Sequence, residues 1–162
     1  GLSKTKATKQ LMALAPILFV EDERTDVMLT KLAFERLGID HPFQVVTDGE
    51  QAIDYLAGAG VFADRAQYPF PCLVILDLNL PIKSGLEVLQ WIRSELHSER
   101  LPVVIYTSSS NDGDLEKARQ IGVDDYLVKS GRISETDKTV QMIKDRWLSQ
   151  CLSAAQSGTD AR

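Results

Sequence analysis

Short, nearly continuous apolar blocks alternate along this chain with longer stretches in which apolar residues recur every third or fourth position. The blocks fall at residues 17–20, 43–46, 73–81, 101–106 and 125–129, the central one carrying Asp77. A brief apolar run has no polar face to offer water, so each block reads as a strand covered on both sides, as in parallel sheets. The periodic stretches read as amphipathic helices. The first carries Met28, Leu29, Leu32, Ala33 and Leu37 and stops at Gly38, and the second carries Ala52, Ile53 and Leu56 after the Asp48-Gly49 turn. The third carries Leu86, Val88, Leu89, Ile92 and Leu96, opened by Ser84 and Glu87 at capping-box spacing. A polar fourth helix spans residues 113–121 before Gly122. In the last, Val140, Ile143, Trp147 and Cys151 form the buried stripe, leaving Met142, Leu148 and Leu152 outside it. Residues 58–71, punctuated by Gly58, Gly60, Pro69 and Pro71, read as a long connection with room for a turn of helix.

Strand and helix alternate throughout, which predicts a single α/β domain. The expected architecture is a doubly wound, flavodoxin-like five-stranded parallel sheet in the order 2-1-3-4-5 with helices on both faces. A length of 162 residues with 44% hydrophobic content supports one core and not two. The expected boundaries are a mobile N-terminal extension at residues 1–15 with Leu11, Met12 and Leu14 as a small apolar patch, a domain at 16–152, and a disordered tail at 153–162.

Charge narrows the partner. A net charge of −5 disfavours nucleic acid and anionic membrane, so the expected partner is a protein. No apolar run approaches the roughly 20 residues that span a bilayer, and no hydrophobic signal region follows the N-terminal lysines; a cytoplasmic protein is expected. Cys72 and Cys151 lack metal-ligand spacing and read as reduced structural thiols. His41 and His97 read as exposed surface residues.

The candidate chemistry lies at the strand ends. In an open α/β sheet ligands bind beyond the carboxyl ends of the strands, and there the chain places Glu21 and Asp22, Asp77, Thr107, and Lys129. Carboxylates so gathered repel one another and call for a counter-cation. Oxygen donors suit a hard ion, and Mg²⁺ in particular, better than zinc.

Glu21-Asp22, Asp77 within Leu-Asp-Leu-Asn-Leu-Pro, Thr107-Ser108, Tyr126 and Lys129, in this order, resemble the receiver domains of two-component response regulators. The resemblance runs from Ile17 to about Leu152. It implies that Asp77 is the phosphoacceptor, that Asp22 binds Mg²⁺ directly and Glu21 through water, that Asn79 offers its backbone carbonyl, and that Thr107 and Lys129 bind the phosphoryl oxygens. The chemistry agrees: a carboxylate with charge neutralised around it suits phosphoryl transfer. A phosphate on Asp77 would draw the Thr107 hydroxyl inward, and Tyr126 would take the vacated space and switch a surface. Lys129-Ser130 stands where the family usually has Lys-Pro. Together with Trp147-Leu148-Ser149, it is similar to the single-domain regulators of bacterial and cyanobacterial phytochrome histidine kinases. That implies a sensor histidine kinase as partner, a downstream protein target, no DNA-binding segment after Leu152, and a homodimer through the last strand and last helix. Such a protein is a signalling module rather than an enzyme, catalysing only its own phosphorylation and dephosphorylation. The alternative is a Mg²⁺-dependent phosphatase of the haloacid dehalogenase type, which needs a second acid two residues after the nucleophile, where this chain has Asn79.

Overall fold

The computed structural model describes residues 14–96, 100–149 and 151. Leu11, Met12, His97 and Leu152, with most of both expected terminal extensions, lie outside the described residues. Strands β1 (Ile17–Val20), β2 (Phe43–Val46), β3 (Leu73–Leu76), β4 (Val103–Thr107) and β5 (Asp125–Val128) alternate with helices α1 (Arg24–Arg36), α2 (Gly49–Ala57), α3 (Gly85–Ser94), α4 (Asp112–Ile121) and α5 (Ile133–Ile143). All strand pairs are parallel and the order is β2-β1-β3-β4-β5, as the alternation predicts.

The three inner strands are fully buried because residues on both their faces are apolar. Leu18, Val20, Val74, Leu76, Val103 and Ile105 point to the face covered by α2, α3 and α4. Ile17, Phe19, Leu73, Ile75, Val104 and Tyr106 point to the face covered by α1 and α5. The edge strand β5 is only half-buried.

Local signals explain the helix starts. Ser84 accepts from the Glu87 amide while the Glu87 carboxylate accepts from the Ser84 amide, a closed capping box. Asp48 caps α2 by accepting from the Gln51 amide at 2.7 Å. The connection after α2 does contain a single 3₁₀ turn, Gly60–Phe62. It is held by Arg65, whose guanidinium donates to the carbonyls of Tyr55, Leu56 and Tyr68.

Helix α1 sits in a different phase from the one its apolar spacing predicts, whereas the last helix keeps its predicted stripe of Val140, Ile143, Trp147 and Cys151 and adds one residue to it. In α1 the buried residues are Thr30, Ala33 and Phe34, while Met28 and Leu32 are exposed. Phe34 packs edge-on against Phe43 with ring centroids 4.5 Å apart, and one rigid aromatic anchored this way outweighs two flexible aliphatic chains in setting the rotation. Beyond α5 the chain continues as a π-helical segment, Lys144–Leu148. The extra residue per turn shifts the phase, so Leu148 turns inward, 5% exposed, beside Val140, Ile143 and Cys151. Leu148 is therefore core rather than surface, and Met142 is half-buried.

Two further expectations are corrected. Cys72 and Cys151 are joined as a disulfide rather than standing as separate thiols. His41 is buried, its Nδ1 3.0 Å from the Ala15 carbonyl, and is not a surface residue.

Candidate functional site

Register builds the site. Val20 aligns with Leu76, Leu76 with Ile105, and Thr107 with Val128. The residues that follow, Glu21, Asp77 and Lys129, therefore emerge at one edge beside Thr107. Backbone bonds fix them there: the Asp77 amide donates to the Val20 carbonyl at 3.0 Å and the Lys129 amide to the Thr107 carbonyl at 2.7 Å. Carboxylate oxygens of Glu21, Asp22 and Asp77 lie within 4.8 Å of one another. Glu21 is fully buried, Asp77 is 5% exposed, and Asp22 faces solvent.

The Lys129 ammonium reaches into this group. It donates to Glu21, to Asp26 at 2.9 Å and to Asp77 at 3.4 Å, and it sits 5.7 Å from the centre of the Tyr106 ring. Burial alone would pull the lysine's pKa down, but its hydrogen bonds to Glu21 and Asp26 and the charge of Asp77 win, and the net movement is upward. Glu21 behaves differently. Burial raises its carboxyl to about 7, the Asp77 charge pushes the same way, and the bond from Lys129 offsets them only in part.

One ammonium thus pairs with three carboxylates, those of Glu21, Asp26 and Asp77, while a fourth, Asp22, lies beside Glu21 and Asp77. Such an excess of hard oxygen donors, with Asp22 open to solvent, fits a divalent cation such as Mg²⁺. Asn79 is exposed, its amide 3.4 Å from Asp77 Oδ1.

Behind the acids, the Thr107 side chain is fully buried and its hydroxyl accepts from the Ser109 amide at 3.3 Å. Half-buried Tyr126 donates its hydroxyl to the Ser109 carbonyl at 3.0 Å. Ser109 is anchored in turn to Asp114 of α4 at 2.7 Å. Thr107 and Tyr126 therefore meet through a shared backbone segment, not by direct contact.

Sequence reasoning missed Asp26, Ser109 and Gly85. Asp26 had a signal, an acid in the first turn of the helix that follows Asp22. Ser109 lay within the hydroxyl run 107–110, of which only Thr107 and Ser108 matched a motif. Gly85 has only a steric role: a Cβ there would fall 2.2 Å from the Asp77 carbonyl oxygen, so α3 can start against the Asp77 loop only with glycine.

Comparison with known proteins agrees with this geometry. The family model described as the response regulator receiver domain matches residues 17–141. The chain is 38% identical over 132 residues to a probable methanogenesis regulatory protein, FilR2, of Methanothrix harundinacea, covering 82% of this chain and 83% of that protein. It is 37% identical over 132 residues to the response regulator Rcp1 of Synechocystis, covering 82% and 88%. The solved Mn²⁺-bound form of Rcp1 superposes with a TM-score of 0.74 at 36% identity, over 83% of this chain and 94% of that one. The phosphorylated cyanobacterial phytochrome response regulator RcpA gives a TM-score of 0.77 at 35% identity, covering 85% and 96%.

Proposed function

The chain belongs to the response regulator receiver family, and from that premise we propose that Asp77 accepts a phosphoryl group from a sensor histidine kinase. The observation that carries the assignment is a nearly buried carboxylate beyond β3 whose neighbours are one ammonium, 3.4 Å away, and two further carboxylates within 4.8 Å. An Asp77 oxygen attacks phosphorus, the phosphorus–nitrogen bond to the donor histidine breaks, and an aspartyl phosphate forms. Lys129 neutralises charge on the transferred group's oxygens, and the buried Thr107 hydroxyl hydrogen-bonds them. Mg²⁺, which Glu21, Asp22, Asp77 and the Asn79 backbone carbonyl would hold, supplies further charge neutralisation when bound. Support for a metal in this place comes from the Mn²⁺-bound relative and from the charge excess.

The phosphorylated state is read out through Thr107, Ser109 and Tyr126. Drawing the Thr107 hydroxyl toward the phosphate breaks its bond with the Ser109 amide, which releases the carbonyl that holds the Tyr126 hydroxyl. That changes the surface of β5 and its flanking helices for a downstream protein. Homodimerisation through β5 and α5 belongs to the same reading, with Val128 and Ile133, both exposed, in place of Leu148. The likeness to the phytochrome response regulator RcpA favours a phytochrome kinase as donor, and a cytoplasmic setting belongs to the same proposal. A phosphatase of the haloacid dehalogenase type lacks its second acid, since Asn79 holds that position.

Intact-mass analysis after treatment with acetyl phosphate and Mg²⁺ is the test. One phosphoryl group should be gained, and none after Asp77→Asn or with excess chelator. A gain that survives Asp77→Asn refutes the assignment. Sedimentation with and without phosphodonor addresses the dimer, which charged substitutions at both Val128 and Ile133 should abolish.

A further inference from the structure

Away from the acidic edge, three buried side chains of a different chemical kind meet. Cys72, which leads into β3, is 4% exposed; Cys151, past the π-helical segment, is fully buried; His41, before β2, is 9% exposed. The two cysteines are bonded across 79 residues of sequence with Cα atoms 4.9 Å apart, a spacing at which the bond forms without backbone movement. A ring nitrogen of His41 lies within 4.8 Å of both sulfurs.

The tautomer of that imidazole follows from its partner. Nδ1 is 3.0 Å from the Ala15 carbonyl, which can only accept, so Nδ1 carries the proton and Nε2 keeps the lone pair. The same carbonyl, with that of Pro16, lies 3.7 Å from Cys72 Sγ. An imidazole with one basic nitrogen is thereby set among two thiol positions, in a cluster that nothing in the phosphoryl chemistry uses. Structural thiols need no such neighbour, whereas thiol–disulfide exchange needs a thiolate.

We propose that His41, Cys72 and Cys151 form a reversible dithiol–disulfide site that reacts with small disulfides of the glutathione class. His41 takes the proton of one thiol, and the thiolate attacks a sulfur of oxidised glutathione, breaking its sulfur–sulfur bond and releasing one glutathione thiol. The second protein thiol loses its proton and attacks the mixed disulfide. The Cys72–Cys151 bond forms and the second glutathione thiol leaves. Two protein thiols are oxidised and one small disulfide is reduced to two thiols. The closed bond ties the segment after α5 to the base of the strand that ends at Asp77, and the open form leaves that segment held by packing alone.

The test uses the full chain in anaerobic glutathione buffers of graded composition, with thiols trapped by acid and alkylation and mapped by peptide mass. A single transition between two free thiols and the 72–151 bond is expected. The oxidised form should melt about 10 °C higher, as closing a long loop implies, and amides of residues 140–149 should exchange more slowly in it. In Cys72→Ser or Cys151→Ser the remaining cysteine should instead retain one glutathione. His41→Asn keeps a donor for the Ala15 carbonyl but has no basic nitrogen; it should close the bond at least tenfold more slowly while the reduced protein melts as the unsubstituted chain does. The proposal is overturned if the thiols stay free in fully oxidised glutathione, if only bonds between chains form, or if the reduced protein instead retains Zn²⁺ and resists oxidation. Closure of His41→Asn at the unsubstituted rate removes the base from the mechanism.

Discussion

The two faces of the sheet are held by different means. Under α2, α3 and α4 the cover is hydrocarbon and aromatic, locked by two arginines that serve as clamps on backbone. Arg65 grips the connection after α2, and Arg93 ties α3 to the carbonyls of Leu101 and Gly122 and to Asp124. Neither guanidinium touches the acidic edge. Under α1 and α5 charge joins the two helices, and a covalent bond ties the segment after α5 to the start of β3. Lys129 links the loop before α5 to Asp26 of α1, Arg36 of α1 pairs with Asp137 of α5, and Lys144 reaches the Leu37 carbonyl. The first face meets the site through packing and neutral contacts, at Gly85 against the Asp77 loop and through Ser109. On the second, the charge that holds two helices together is also the charge that Asp77 needs.

Lys129→Ala should break that comparison most severely. Losing the ammonium removes charge neutralisation at Asp77 and is expected to slow phosphorylation by acetyl phosphate about 100-fold or more. It also leaves Glu21 and Asp26 without their cation, so amides of α1 should exchange faster while those of α3 stay protected. Uniform loosening of both faces would show that the site is not mechanically tied to α1 and α5.

Apolar truncation should be costly on both faces, and this sharpens the account of α5. Leu89→Ala, on the α3 side, and Leu148→Ala, in the π-helical segment, should each cost about 2 to 5 kcal/mol in urea unfolding, because both side chains are buried. A cost below about 0.5 kcal/mol for Leu148→Ala, as expected of a surface position, would return that residue to the outside of the helix.

The contrast between faces also explains which parts of the molecule were legible in the sequence. Strand order, the α3 capping box and the convergence of Glu21, Asp22, Asp77, Thr107 and Lys129 all follow from local signals: continuous apolar runs, a cap at fixed spacing, and polar residues directly after strands. The rotation of α1 was not legible, because it depends on Phe34 meeting Phe43, a contact between elements. Leu148 was misplaced because helical spacing assumes a constant pitch, and a single π turn breaks that assumption. The cysteine pair was hidden because residues 79 apart in sequence are joined only by the way the terminal helix lies across the sheet. Tyr126 was legible as a residue, yet its route to Thr107 through the Ser109 backbone was not.

Alkaline titration tests the first face at a smaller scale. Tyr55 is fully buried beneath Phe62 and Tyr68 and donates its hydroxyl to the Pro69 carbonyl at 2.8 Å. Burial pushes its phenol up to about 12, whereas a tyrosine in the unfolded chain ionises near pH 10. The folded state holds this proton more tightly, so the contribution to stability is complete below about pH 10 and is lost as pH rises from about 10 to 12. The loss amounts to about 2 to 3 kcal/mol. Urea midpoints at pH 9 and pH 11 should therefore differ more for the unsubstituted chain than for Tyr55→Phe. Equal differences would place the alkaline sensitivity elsewhere, with Tyr106, also raised by burial, as the next group to substitute.

The smallest effect is expected at the other charged tie of the second face. Arg36 donates to both carboxylate oxygens of Asp137, at 2.6 Å for the shortest bond, but the two side chains are 43% and 35% exposed. Water and salt screen such a pair, and ordering two long side chains offsets most of the attraction. Arg36→Ala should therefore move the melting midpoint by no more than about 2 °C, and even that difference should vanish in 0.5 M salt, roughly three times physiological ionic strength. Phosphorylation of Asp77 should proceed at the unsubstituted rate. Lys129, 10% exposed, makes the same kind of bond from the loop before α5 to α1, so the pair of substitutions compares a buried tie with an exposed one. If Arg36→Ala slowed phosphorylation as Lys129→Ala does, α1 and α5 would be coupled to the site through their packing, and the buried ammonium would lose its special place in the account.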